Sequence, residues 1–307
     1  MEKMAPGVSV IIPTYNRWPM VREAVESVLA QTGRGFELIV VDDGSEDETT
    51  EKLIGYGSSL RVLRQTRRGV AAARNLGARS SAGRYLAFLD SDDLWRRRKL
   101  ETQVAFMEAR PEVQICQTEE IWIRRGIRVN PKRRHHKPAG DIFRASLDLC
   151  LVSPSAVMMT RDLFEREGGF DETFPVCEDY DLWLRIAVDN PVHLIPQALV
   201  LKRGGHRDQL SRSTWGLDRF RVLAIKKLLD AGLRGEKRMW AIEALAGKVA
   251  ILAKGARRRG KECDALIYER LLAEFIEEIE HDRSGDHRLQ RGEGISQTNS
   301  RAVARDD

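Results

Sequence analysis

Residues 8–45 read VSVIIPTYNRWPMVREAVESVLAQTGRGFELIVVDDGS, and this stretch decides the fold class. Val8-Ser9-Val10-Ile11-Ile12 is a β-branched run that stops at Pro13, as expected of a strand buried on both faces. Pro19 suits the first turn of a helix. Met20, Val21, Ala24, Val25, Val28 and Leu29 then recur on one helical face. Phe36 to Val41 is a second apolar run, and it passes directly into Asp42-Asp43-Gly44-Ser45. Strand, helix and strand at this spacing predict a right-handed βαβ unit in a parallel sheet.

The same alternation continues outward. The sequence predicts a short helix over 48–54, a strand at 60–63 and a helix over 70–78 opened by Gly69. A strand at 85–89 runs into Asp90-Ser91-Asp92-Asp93, and a helix is expected from Trp95 to Ala109. The expected fold is therefore α/β, a three-layer sandwich around a mostly parallel, Rossmann-like sheet, followed by a helical C-terminal region. In such sheets ligands sit beyond the carboxyl ends of the strands. Thr14-Tyr15-Asn16, Asp42-Asp43 and Asp90-Ser91-Asp92 should thus meet at one rim, although they are far apart in sequence. After Gln114 the pattern loosens. Residues 130–138 (NPKRRHHKP) read as a loop, 155–160 as a strand, Gly168-Gly169-Phe170-Asp171 as a turn, and 178–188 as a helix with an acidic first turn. Residues 215–282 read as almost wholly helical, with weak breaks at Gly232, Gly235 and Gly255. Beyond Arg283 the composition predicts disorder. The expected domains are 1–210 (catalytic), 211–282 (helical) and 283–307 (tail).

A chain of 307 residues with 42% apolar side chains can bury a core without disulfides or a structural metal. Cys116, Cys150, Cys177 and Cys263 form no CxxC pair, which fits reduced thiols and argues against a zinc site. No run approaches the roughly 18 apolar residues that span a bilayer, and no leader-like segment opens the chain. These features weigh against an integral membrane protein, a secreted disulfide scaffold and a collagen-like fibre. The net charge of +5 is unevenly spread: residues 121–140 hold seven Lys or Arg and no Asp or Glu. Residues 212–261 hold fourteen basic and four acidic residues, and residues 262–282 reverse to one basic and eight acidic. Solvated helix faces explain this, as does attraction to an anionic substrate, membrane surface or nucleic acid.

The acidic clusters admit two readings each. Asp90 and Asp92 could ligate a hard divalent cation, which would join an acidic rim to a diphosphate, or could cap a helix. Asp42-Asp43 could accept hydrogen bonds from a base or ribose, or could simply form a turn. Tyr15 could stack on a base or be a loop aromatic. Arg74, at the middle of its helix, could be solvated, or could pair with phosphate or with the acidic rim. Glu178-Asp179-Tyr180-Asp181 could be an acidic helix start or could carry a general base.

Taken together, VSVIIPTYNR (8–17), FELIVVDDGSEDET (36–49), GVAAARNLGARSSAGRYLAFLDSDDLW (69–95) and GGFDETFPVCEDYDLWLRI (168–186) resemble the family 2 glycosyltransferases, in that family's order and spacing. The resemblance covers roughly residues 6–210. It implies the A-type nucleotide-sugar fold and inverting, metal-dependent transfer from a nucleoside-diphosphate sugar, UDP-linked, to a glycan or lipid-linked acceptor in cell-envelope polysaccharide assembly. By this resemblance Pro13 and Tyr15 line the base pocket and Asp43, with Asp42, binds the base edge. Arg74 contacts the nucleotide, and Asp90 and Ser91 lie near the ribose. Asp92 holds Mg²⁺ or Mn²⁺, and Asp179 is the catalytic base. His206, in a stretch resembling the family's H-x-x-Q-x-S, adds a metal contact or is a loop histidine. The charge split adds the expectation that the basic faces between Arg219 and Lys261, with the 132–137 loop, rest against an anionic membrane or a lipid-diphosphate acceptor, and the expected location is cytoplasmic, peripheral at the inner face of the membrane.

Other classes fit less well. A DxDx[TV] phosphatase needs Thr or Val where Leu94 stands. A nucleotidyltransferase or a dinucleotide dehydrogenase needs glycines after the first strand, which ends in PTYNR. No aromatic-rich basic platform supports nucleic-acid binding. A catalytically inactive scaffold on the same fold is the remaining alternative, and the intact acidic clusters weigh against it.

Overall fold

The computed structural model of the chain describes residues 6–33, 35–130, 135–206, 216–274 and 276. Strand β1 (Val8–Thr14) is buried along its whole length. It pairs in parallel with β2 (Phe36–Asp42) on one side and β4 (Tyr85–Phe88) on the other. Strand β3 (Arg61–Arg64) extends the parallel set beyond β2. Helices cover both faces. Val8, Val10 and Ile12 pack with Val21, Ala24, Val25 and Val28 of α1 (Trp18–Leu29). On the other face α3 (Val70–Arg79) lies so close to β1 that a Cβ on Gly77 would sit 2.5 Å from Ile11 Cγ2. A fully buried Ile or Val contributes about 1.5–3 kcal/mol, so this central strand anchors both layers.

The predicted parallel sheet is present, and it continues as a mixed one. Strand β8 (Val157–Thr160) runs antiparallel to β4 and to β6 (Ile115–Arg124). Strand β9 (His193–Gly204) is parallel to β6, and short β5 (Leu94–Trp95) closes the edge antiparallel to β9. The order is β3-β2-β1-β4-β8-β6-β9-β5, with β7 (Ile127–Val129) in a hairpin on β6. Two long strands therefore lie where the sequence pattern loosens. Strand β6 hides its alternation because Gln117 and Thr118 are buried in its middle. Strand β9 carries Pro196 and Gln197 across a register shift opposite Thr118 and Glu119, where no ladder hydrogen bond is demanded of proline.

Trp95 belongs to β5, and its helix, α4 (Lys99–Glu108), starts four residues later than expected. The reason is tertiary: Trp95 pairs with Val200, and its indole N–H donates to Ser155 O at 2.7 Å. The remaining helices are α2 (Thr49–Ile54), α5 (Phe143–Asp148), α6 (Arg161–Arg166), α7 (Glu178–Asp189), α8 (Leu217–Asp230) and α9 (Gly235–Arg258), and residues 262–274 are also helical. Gly232 and Gly235 separate α8 from α9 as expected, but Gly255 lies inside α9 and breaks nothing. A single glycine costs a helix only about 1 kcal/mol. Two compact units divide the chain, Met1–Ala241 and Ile242–Asp307. The boundary expected at 210 and the tail expected from 283 lie outside the described residues.

Candidate active site

The ends of β1 and β2 are tied together by their own polar residues. Asn16 adopts a left-handed backbone (φ 48°), and its N–H donates to Ser45 Oγ at 2.8 Å. Its side-chain oxygen accepts the Glu46 N–H at 2.8 Å. Asp42 is fully buried; its carboxylate accepts from Ser45 N–H at 2.9 Å and from the Thr50 hydroxyl. Gly44 turns the chain here at φ +84°, where a Cβ would meet Arg67 N at 3.0 Å. Asp43 accepts from Gln65 Nε2 (2.6 Å), Arg68 N–H (2.8 Å) and Gly69 N–H (2.8 Å), the last two leading into α3. A carboxylate has about four acceptor sites, so Asp43 keeps one for an outside N–H donor. Tyr15 is half-buried at the rim with the Arg67 guanidinium 4.2 Å over its ring. Pro13 lies inside β1, opposite Val41.

The turn after β4 holds three acids. One carboxylate oxygen from each of Asp90, Asp92 and Asp93 lies within 4.8 Å of the others. Asp93 N–H donates to Asp90 O and closes the turn, and Asp90 N–H donates to Ser155 Oγ at 3.1 Å. Asp92 faces Arg17 Nη1 at 3.3 Å and His206 Nε2 at 3.1 Å. His206 thus reaches the acid cluster, while Gln209 and Ser211 of its stretch lie outside the described residues. Asp93 accepts the Arg203 N–H at 2.8 Å. Burial and the charge of Asp92 push its carboxyl well above the usual range. Ser91 is buried in the same turn. Lys202 answers this charge: burial lowers its ammonium, but Glu120, Asp93 and Asp90 carry it above its ordinary value. Clustered carboxylate oxygens are the donor set that Mg²⁺ or Mn²⁺ prefers, so these residues fit a hard divalent cation.

Arg74 joins this turn to the acidic helix start. It is 4% exposed, and its two terminal nitrogens lie 2.6 Å from Asp90 and 2.6 Å from Glu178. Of the readings open at the sequence level, its place is that of a cation buried against the acidic rim. Asn75 clamps the neighbouring GGFDE turn, donating to Phe170 O at 2.8 Å and accepting Phe170 N–H at 3.0 Å. Burial pushes the Glu178 carboxyl up to about 7, with Arg74 opposing and Asp179 adding to the rise. Cys177 takes a left-handed φ of 63° and turns the chain into α7. Asp179, half-buried on the first turn, accepts the Tyr180 N–H on Oδ1 (2.8 Å) and faces the Cys150 thiol with Oδ2 (3.4 Å). Burial and Asp179 keep that thiol protonated.

Sequence reasoning therefore found the acids but missed most of their partners. Arg17, Lys202, Arg203, Cys150 and Ser155 come from three other segments, and none stands in a spacing that signals the contact. Glu178 was legible only as a helix-start acid, although it is the one that grips Arg74.

Residues 9–168 match glycosyl transferase family 2. An uncharacterized glycosyltransferase of Rickettsia prowazekii is 32% identical over 204 residues, 65% of this chain and 64% of that protein. The chain thus spans under two thirds of that relative's length. The Escherichia coli UDP-Glc:alpha-D-GlcNAc-diphosphoundecaprenol beta-1,3-glucosyltransferase WfgD is 31% identical over 218 residues, covering 70% of this chain and 82% of that enzyme. Among solved structures, S. aureus TarS 1–349 in complex with UDP-GlcNAc aligns with a TM-score of 0.61 at 17% identity, over 86% of this chain and 90% of that one. At that identity the likeness speaks to the fold. The chain belongs to glycosyl transferase family 2, and its sheet is that of an A-type glycosyltransferase.

Proposed function

We propose that this chain transfers a sugar from a UDP-sugar to a hydroxyl of a lipid-diphosphate-linked glycan, with inversion at the anomeric carbon. The reading includes dependence on Mg²⁺ or Mn²⁺ and a peripheral place at the inner membrane face, in assembly of a cell-envelope polysaccharide. The observation that supports it is the Arg74 bridge: one buried guanidinium holds Asp90 and Glu178, close neighbours in sequence of the two groups to which the reading gives metal and proton chemistry, Asp92 and Asp179. The donor base and acceptor class rest on the likeness to the E. coli enzyme, whose name states both.

In this mechanism Asp179 takes the proton of the acceptor hydroxyl as it attacks the anomeric carbon, which is general-base catalysis of a single displacement. The Tyr180 N–H and the Cys150 thiol orient its carboxylate from two sides. Asp92, with Asp90 and His206 beside it, would hold the divalent cation, which when bound would neutralise charge on the departing diphosphate. Asp43 offers its free acceptor site to an N–H of the base, and Tyr15 offers its ring face or hydroxyl at the same rim.

The test is release of UDP from a panel of UDP-sugars in Mg²⁺, Mn²⁺ or EDTA, with Asp92→Asn and Asp179→Asn alongside. Release from one donor, abolished by EDTA and by both substitutions, is expected. Binding of no donor in any metal would instead select the inactive scaffold.

A further inference from the structure

The β6–β7 hairpin closes on a two-residue turn, Arg125-Gly126, with both residues in the left-handed region (φ 51° and 78°). Such a turn matches the twist of a two-stranded ribbon, and its first place usually falls to Asn, Asp or Gly, so an arginine is held there at some cost. Across the turn Arg124 pairs with Ile127, and Ile123 with Arg128. Ile127 is 70% exposed, the most exposed large apolar side chain among the described residues. Arg125 and Arg128 are exposed beside it, and neither side chain forms an ion pair among the described residues. Arg124 lies instead over the Trp122 ring, 5.3 Å from its centre. Residues 121–140 hold no Asp or Glu to answer these charges. The glycosyl-transfer mechanism above assigns the hairpin nothing.

Charges on a short edge strand discourage pairing with another chain, which by itself explains the arginines. It does not explain an isoleucine left in water beside them. Cations flanking an exposed apolar side chain suit an anionic surface with an apolar layer beneath it, as at the boundary between lipid headgroups and acyl chains. Nucleic acid would take the arginines and leave the isoleucine in water. The hairpin's place in the fold agrees. Arg125 N–H donates to Gly204 O at 3.3 Å, and a Cβ on Gly205 would lie 3.4 Å from Arg125 Cγ. His206, which faces Asp92 at 3.1 Å, follows Gly204 by two residues, at most about 7 Å of chain. A surface that docks the hairpin therefore lies beside the acid rim, where an acceptor anchored in a bilayer has to arrive.

We infer that the β6–β7 hairpin docks the chain on an anionic lipid bilayer, with Ile127 entering the headgroup–acyl boundary and Arg125 and Arg128 on lipid phosphates. The inference rests on the reading of a lipid-linked acceptor. It assigns the membrane contact to the hairpin beside the rim rather than to the basic helices between Arg219 and Lys261.

Flotation of the full chain with vesicles tests it, comparing equimolar phosphatidylglycerol and phosphatidylcholine with phosphatidylcholine alone. The chain should float with the anionic vesicles only, and less as salt rises. Arg125→Asn gives the turn its preferred Asn-Gly pair, so it should keep or raise the melting temperature while vesicle affinity falls about fivefold, one cation's share at an anionic surface. Arg128→Gln should lower affinity by a similar factor. Ile127→Thr keeps the β-branched side chain that a strand favours and should lower it several-fold. UDP affinity should stay at the parental value in all three. Absence of flotation, equal flotation with neutral vesicles, or parental flotation of the three substitutions combined would overturn the assignment. So would a loss seen only when Arg234 and Lys254 are changed to Gln. Flotation requires no turnover, so failure of the parent protein to release UDP from any donor would overturn the functional reading alone, which keeps the two apart.

Discussion

Two acid-bearing turns close the rim at the ends of β2 and β4, the two neighbours of β1, and they are built differently. Asp42 and Asp43 are held largely by backbone: Ser45, Arg68 and Gly69 N–H groups, plus Thr50 and Gln65 side chains, with the Arg64 guanidinium farther off at 3.8 Å from Asp42. Asp90 and Asp92 are instead faced by long-range side chains, the Arg74 guanidinium on the first and the Arg17 guanidinium and His206 imidazole on the second. The same residue type at equivalent strand ends thus does two jobs. A carboxylate held mainly by backbone donors is part of the fold, because moving it unpicks a turn, even where one acceptor site stays open as on Asp43. A carboxylate balanced by side-chain cations can exchange that partner for a metal or a phosphate-bound cation while the backbone stays in place.

The largest effect that would break this contrast is on activity. Asp92→Asn should cost at least about 100-fold in UDP-sugar turnover, with a melting temperature close to that of the parent. A variant that keeps activity, or that melts far earlier, would mean that this turn too is structural. Next comes Arg74→Met, which leaves Glu178 and Asp90 unpaired against a buried wall. Breaking one side of a buried ion pair costs about 3–5 kcal/mol, and urea unfolding should show a loss of that size. Retained stability would show that the two acid motifs do not depend on one another through Arg74.

Asp42→Ala should cost about 1–3 kcal/mol of stability by leaving Ser45 N–H and the Thr50 hydroxyl without their acceptor. Isothermal titration should find UDP affinity lowered far less than a direct ligand contact would require. A large loss of UDP affinity in a variant of parental stability would reverse the assignment of this turn. The smallest effect concerns Asp171, in the turn that Asn75 clamps. Burial pushes its carboxyl up, but hydrogen bonds from Lys227, at 2.6 Å, and Thr173 bring it down to about 2 from 3.8. A carboxyl depressed on folding contributes stability above its unfolded value and loses it as pH falls through the folded one. Urea unfolding from about pH 5 down to pH 2 should therefore decline more gently in Asp171→Asn than in the parent. Parallel curves would remove the Lys227 contact from the ledger of this turn.

Much of the amino-terminal half could be read without coordinates. Apolar runs of five or six residues, each stopping at a polar cluster, repeat with helical patterns between them, and β1, α1, β2, β3, α3 and β4 stand where those patterns put them. Local periodicity was enough there because β1, β4 and most of β2 are buried between helices that follow in sequence, with β3 as the partly exposed edge. The half from Gln114 onward resisted. Strand β6 carries Gln117, Thr118, Glu119 and Glu120 in a row, and Lys137 and Lys202 come from elsewhere to meet Gln117 and Glu120. Strand β9 contains a proline that its register shift absorbs. Trp95 looked like the start of a helix, and its pairing with Val200 drew it into an edge strand.

The sequence by itself determined which acids lie beyond which strands, because a parallel α/β sheet sends the carboxyl ends of its strands to one edge. It also carried the family's four motifs in order. Tertiary structure alone decided which acids are held by backbone donors and which are faced by distant side chains, since that depends on groups contributed from across the chain. Arg74 is the clearest instance: helical spacing places it at mid-helix, but only folding buries its guanidinium between Asp90, sixteen residues away, and Glu178, one hundred and four residues away. Long-range electrostatics of that kind leave no periodic trace in a sequence, because the partners are selected by distance in space and by the cost of burying an unpaired charge.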